Sequence, residues 1–163
     1  MTFQQRCLNI TSDITSDITS DMSTNPKQVK IYRKHRSSKK PILVVDDEFD
    51  IVNTIRLWLD RHSFDVCGFT DPLLALEHFK DNYNKIDLVL SDIRMPQMNG
   101  YELANRIKAI QPKVKVILMS AFEIREVEFS KMFHSVKIDS LILKPISMKN
   151  LTEKIQNVFN ISD

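Results

Sequence analysis

The stretch from Leu88 to Gly100, LVLSDIRMPQMNG, constrains the fold of this chain more than any other. Three apolar residues and a serine run into Asp92, and a tight loop follows. A strand of this kind buries its body and presents its charged tip at the edge of a sheet. In open α/β sheets the carboxyl edge is where ligands bind. Asp92 therefore stands where a carboxylate is both held rigidly and reachable. Pro96 fixes the backbone just beyond it and biases Met95 toward an extended shape. Asn99 and Gly100 supply a turn and a cap for a following helix.

The same grammar recurs along the chain. Ile42–Val45 is a β-branched run that stops at Asp46-Asp47-Glu48. Residues 49–62 carry apolar positions near helical period, and 64–69 form a second strand. Thr70-Asp71-Pro72 opens a helix, with a capping residue ahead of proline at the first helical position; Leu73, Leu74, Leu76 and Phe79 are expected on its inner face. A third strand runs from Ile86 to Ser91, and a helix spans Tyr101–Ile110. A fourth strand, Val114–Met119, ends at Ser120-Ala121. A weakly patterned helix is expected from Glu123 to about His134, and Leu141–Leu143 forms a fifth strand ending at Lys144-Pro145. Ser147 opens a last helix through about Phe159, with Leu151, Ile155, Val158 and Phe159 facing inward.

Strands alternating with helices imply an α/β domain, a doubly wound five-stranded parallel sheet with five helices. Right-handed crossovers place every strand end on one edge. That gathers Asp46, Asp47, Asp92, Ser120 and Lys144 into one crevice. Converging carboxylates need a cation, and an oxygen-only donor set without His or Cys suits Mg²⁺ and not zinc. The ion, the Ser120 hydroxyl and the Lys144 ammonium would surround a phosphoryl group carried by Asp92, stabilising its charge by position. Taken singly, Asp46, Asp47 and Ser120 could be helix caps and Lys144 a solvated charge. Their joint placement at successive strand ends is what argues for chemistry. His35, His62, His78 and His134 fall outside the cluster and are expected on the surface.

ILVVDDE, LVLSDIRMPQMNG, VILMSA and LILKP stand in an order that resembles the receiver domains of two-component response regulators. The resemblance covers about residues 40–160. It implies a flavodoxin-like fold and a stand-alone phosphoacceptor. Asp92 would take a phosphoryl group from a sensor histidine kinase or a histidine phosphotransfer protein, and an unidentified downstream target protein would read the change. It further implies Mg²⁺ bound by Asp47, Asp92 and the Arg94 carbonyl, with Asp46 acting through water. Ser120 and Lys144 would engage the phosphoryl group, across a cis Lys144-Pro145 peptide. Arg94 would lie over the site mouth and tune water access. The resemblance leaves open a homodimer formed on phosphorylation.

Two departures stand out. Leu141 occupies a position where the family often has Tyr or Phe, so coupling of Ser120 to a moving ring does not carry over. The segment before the fifth strand lacks the usual glycine and concentrates Phe122, Phe129, Met132 and Phe133. A phosphohydrolase with an aspartyl nucleophile is the alternative, but Arg94 stands where such enzymes of the haloacid-dehalogenase type place a second Asp.

Charge divides the chain. Of its 23 Lys and Arg and 21 Asp and Glu, residues 1–40 hold eight bases and three acids, so residues 41–163 carry a net −3. Residues 1–40 are expected to be a tail: a disordered or partly helical TSDI-TSDI-TSDM repeat, then a basic stretch at 27–40. That stretch is either a solvated linker or a weak nucleic-acid contact that would make the receiver a tethered regulator. Residues 41–163 are expected to be the folded domain. There is no apolar run of membrane-spanning length and no secretory leader. Two isolated cysteines, Cys7 and Cys67, fit reduced thiols and a cytoplasmic location.

Overall fold

The structure, a computed structural model, describes residues 40–121 and 137–160. Contacts divide the chain into two units, Met1–Ser38 and Lys39–Asp163, and the described residues belong to the second. Five strands form one sheet: β1 (Lys40–Val45), β2 (Phe64–Phe69), β3 (Leu88–Asp92), β4 (Lys115–Ser120) and β5 (Ser140–Leu143). Their order is β2-β1-β3-β4-β5, and every pairing is parallel. Among the described residues four helices connect or follow the strands: α1 (Phe49–Asp60), α2 (Pro72–Asn82), α3 (Gly100–Ile110) and α4 (Met148–Asn160).

Helices cover both faces, α1 with α4 on one and α2 with α3 on the other. Strands sandwiched in this way lose every solvent-facing position. Ile42–Val45, Leu88–Leu90 and Val116–Met119 are accordingly buried without alternation. The caps lie where the residue types place them. Asp71 accepts from the backbone N–H groups of Leu73 and Leu74, Asn99 from that of Glu102, and Ser147 from that of Asn150. Each supplies an acceptor to a helix N–H that has no partner within its helix. On the first face, Trp58 Nε1 donates to Thr152 Oγ1 at 3.0 Å and ties α1 to α4.

Four expectations are corrected. Leu73 and Leu74 are largely exposed, because α2 turns Ala75, Leu76 and Phe79 to the sheet instead. His78 is half-buried, with its ring against Phe69 at 5.1 Å; that burial holds its pKa below the usual value. Phe159 is half-buried, because it packs at the sheet margin, stacked on Phe64 under the Lys40 ammonium. Cys67, on β2, is disulfide-bonded, not a reduced thiol. The expected helix at 123–134, His35, His134, the cluster of Phe122, Phe129, Met132 and Phe133, and the tail to residue 39 lie outside the described residues. Among the described residues, no helix is long and apolar enough to cross a membrane.

Candidate functional site

The strand order reverses at β1 and β3, which lie side by side with β2 on one flank and β4 on the other. Successive crossovers leave in opposite directions there, opening a crevice beyond the strand ends. Asp46 follows the last residue of β1, and Asp92 is the last residue of β3.

Asp46 is fully buried. Its backbone N–H donates to the Phe69 carbonyl at 3.2 Å, extending the β1–β2 ladder by one residue. Its carboxylate accepts from the Glu48 N–H at 3.0 Å and from Lys144 Nζ at 2.7 Å. Helix capping is not its role: Glu48 is the N-cap of α1, without a side-chain cap bond. Asp92 is 7% exposed. One carboxylate oxygen accepts from the Arg94 N–H at 2.6 Å, and the other faces Lys144 Nζ at 2.7 Å. The Asp92 carboxylate is thus gripped on both oxygens.

Lys144 arrives from β5. Its backbone N–H donates to the Ser120 carbonyl at 2.7 Å, and the Lys144-Pro145 peptide is cis. Ser120, the last residue of β4, is buried beside this point. The ammonium bridges Asp46 and Asp92, so two carboxylates share one cation. Burial pushes the Asp46 carboxyl above its usual range despite the lysine bond. Burial opposes the charge on Lys144 too, but hydrogen bonds and attraction to both aspartates raise its pKa overall. The proton stays on nitrogen, and one ammonium serves two carboxyl groups.

Asp47 is exposed at the mouth. Asp46, Asp47 and Asp92 are all hard oxygen donors, the ligand type magnesium takes. Among the described residues no three acidic, His or Cys side chains already stand together as a metal centre. Lys144 holds the cation position between Asp46 and Asp92. The geometry therefore brings Asp46, Asp92, Ser120 and Lys144 together and leaves Asp47 at the rim. Arg94 is exposed beside Asp92, and its N–H contact with that carboxylate was not legible in the sequence.

Gly100 was expected only as a turn residue, and the structure gives it a stronger reason. A Cβ at this position would overlap the Asp92 carbonyl oxygen. The Gly100 N–H also donates to the Ile93 carbonyl at 2.9 Å. Only glycine lets α3 begin this close to the end of β3.

A family model described as the response regulator receiver domain matches residues 42–156. The chain belongs to the response-regulator receiver family. The two-component response regulator ORR26 of Oryza sativa subsp. japonica is 32% identical over 122 residues, which are 72% of this chain and 20% of that protein. The chain spans half or less of the curated relatives it matches. Among solved structures, a response regulator receiver domain protein from Clostridium thermocellum superposes with TM-score 0.68 at 27% identity. That match covers 74% of this chain and 94% of the other. The CheX-CheY-BeF3-Mg²⁺ complex from Borrelia burgdorferi gives TM-score 0.67 at 25% identity, over 74% and 89% of the two chains. The receiver family and its role in phosphorelay signal transduction stand on these matches, and a phosphohydrolase is not favoured.

Proposed function

We infer that residues 41–163 form a receiver domain in which Asp92 accepts a phosphoryl group, with residues 1–40 as a tail. One observation carries this reading: the Asp92 carboxylate is held at the switch point between the Arg94 N–H and the Lys144 ammonium. An oxygen of Asp92 attacks phosphorus, and the bond to the donor breaks as the new P–O bond forms. With a phosphohistidine donor the electron pair leaves on the imidazole nitrogen, which is then protonated. Lys144, already at hydrogen-bond distance from Asp92, follows the new charge and pairs with the phosphoryl oxygens. Ser120, at the neighbouring strand end, donates its hydroxyl to the same group.

Asp47, Asp92 and the Arg94 carbonyl are the residues we assign to Mg²⁺, with Asp46 acting through a bound water. Bound there, the ion neutralises charge that builds on the phosphoryl oxygens. Lys144, which bridges Asp46 and Asp92, would be the residue free to pair with the phosphoryl oxygens. A magnesium-containing neighbour, the Borrelia complex, supports the assignment.

The partners that fit are a sensor histidine kinase or histidine phosphotransfer protein as donor, and a target protein that reads the change. The domain acts as a signalling switch with slow self-catalysed loss of the phosphoryl group, in the cytoplasm, where ATP-derived donors are found. The seven bases between Lys27 and Lys40 carry charge for a weak nucleic-acid contact; a steep salt dependence lost with that segment would support it.

The test is intact-mass analysis of the full chain after incubation with acetyl phosphate. A single phosphoryl adduct that requires Mg²⁺ and is absent in Asp92→Asn supports the assignment. An adduct of equal yield in Asp92→Asn would reject it.

A further inference from the structure

At the amino edge of the sheet the strand starts carry a row of lysines. Backbone bonds align those starts. The Asp87 N–H donates to the Pro41 carbonyl at 3.1 Å, the Lys115 N–H to the Asp87 carbonyl at 3.0 Å, and the Asp139 N–H to the Val116 carbonyl at 2.8 Å. In the order β1-β3-β4-β5 the row reads Lys40, Lys85, then Lys113 with Lys115, then Lys137. Neighbouring strands lie about 4.8 Å apart, so the row spans about 15 Å. Lys115 is spent with Lys108 on Asp139. Lys40, Lys85, Lys113 and Lys137 are exposed, and among the described residues none of these four forms an ion pair. Asp87 is the exposed acid among them.

Lysines in the last turn of a helix offset its terminal carbonyls, and Lys80 of α2 and Lys108 of α3 stand there. Lys85, Lys113 and Lys137 lie instead in the connections leading into β3, β4 and β5, in a domain whose net charge is negative. Beside them Tyr83 is 46% exposed. It sits in a turn that the Lys85 N–H closes on the Asn82 carbonyl at 2.8 Å. The basic stretch 27–40 also enters the sheet at this edge, since Lys40 is the first residue of β1. Lysines that track a backbone and an exposed ring for a base to stack on are the two parts of a single-strand binding surface. An acidic peptide would use the lysines but not the ring. We propose that the amino edge binds a single-stranded nucleic acid, with Lys85, Lys113 and Lys137 on its phosphates and Tyr83 against a base. The surface lies at the opposite edge from Asp92 and does not rest on the phosphoacceptor reading. It carries the contact assigned to residues 27–40 onto the folded domain.

The test is fluorescence anisotropy of a labelled oligothymidylate titrated with the full chain over a range of salt. The variants leave residues 27–40 intact, so the edge is told apart from that stretch. Lys85→Gln, Lys113→Gln and Lys137→Gln combined should bind about a hundredfold more weakly at about 0.1 M salt. The slope of log affinity on log salt should fall by about 2, the share of three phosphate contacts. Tyr83→Ala should bind about tenfold more weakly with its slope unchanged, as loss of one stacked base predicts. Both variants are expected to melt with the wild type and to gain the same acetyl phosphate adduct. A further arm needs no variant: unlabelled oligothymidylate should displace the probe at lower concentration than polyglutamate of equal charge. Wild-type affinity and slope in the triple variant would overturn the proposal and place the contact in residues 27–40 alone. Absence of wild-type binding at low salt would also overturn it. Equal displacement by polyglutamate would overturn it in favour of an acidic protein partner.

Discussion

The two edges of the sheet each hold a carboxylate–lysine cluster, built with opposite balance. At the carboxyl edge one lysine serves two aspartates: Lys144 bridges Asp46 and Asp92, whose side chains are 1% and 10% exposed. At the amino edge two lysines serve one aspartate: Asp139 faces Lys108 at 3.0 Å and Lys115 at 3.3 Å, all three 13–24% exposed. Asp139 also accepts from the Val116 N–H at 2.9 Å, and Lys108 donates to the Val114 carbonyl at 2.6 Å. The amino-edge cluster joins α3, β4 and the start of β5, and its charges reach water. The carboxyl-edge cluster is drier and one cation short. Burial makes that shortage costly.

Breaking the drier cluster should cost the most. Lys144→Gln strands two buried carboxylates and is expected to destabilise the fold by about 3 kcal/mol at neutral pH. Asp46 then has less to hold it ionised, so the variant should recover stability as pH falls and Asp46 takes a proton. Urea denaturation at several pH values checks both effects. In the wild type stability also falls as pH rises, but at the alkaline end. The raised Lys144 pKa means its stabilisation is whole below its ordinary value of 10.5 and lost as pH climbs through the folded value.

Gly100→Ala is next, at about 2 kcal/mol, because the added methyl meets backbone that cannot turn aside. It should also slow phosphorylation, since the displaced carbonyl belongs to Asp92. Asp139→Ala sharpens the comparison from the other edge. Loss of its bonds should cost about 1.5 kcal/mol, with the rate of phosphorylation by acetyl phosphate unchanged. If that rate falls as far as the stability does, the two edges are not separate in function. The smallest effect is expected from Asp46→Asn. Burial raises the Asp46 pKa, so its ionisation opposes folding as pH rises above its ordinary value of 3.8. The asparagine variant should hold its stability above that pH within about 1 kcal/mol and show a flatter pH profile.

The carboxyl edge was legible in the sequence because each of its residues terminates an apolar run. Asp46, Asp92, Ser120 and Lys144 need only strand assignment and the handedness of crossovers to be brought together. Their pairing was not legible: the sequence does not show that Lys144 bridges the two aspartates. The amino edge was missed, since Lys108, Lys115 and Asp139 belong to no motif and meet only through the β4–β5 register and the packing of α3. Leu73 and Leu74 were misplaced for a similar reason, because helical period alone does not say which neighbouring residues the sheet covers.

The most direct test of the account is to locate the phosphoryl bond. The full chain, phosphorylated with acetyl phosphate and Mg²⁺, is reduced with borohydride, which converts an aspartyl phosphate to homoserine, and is then mapped by peptide mass spectrometry. The account expects homoserine at position 92 and at no other aspartate. Homoserine at Asp46 or Asp47, with Asp92 intact, would contradict it.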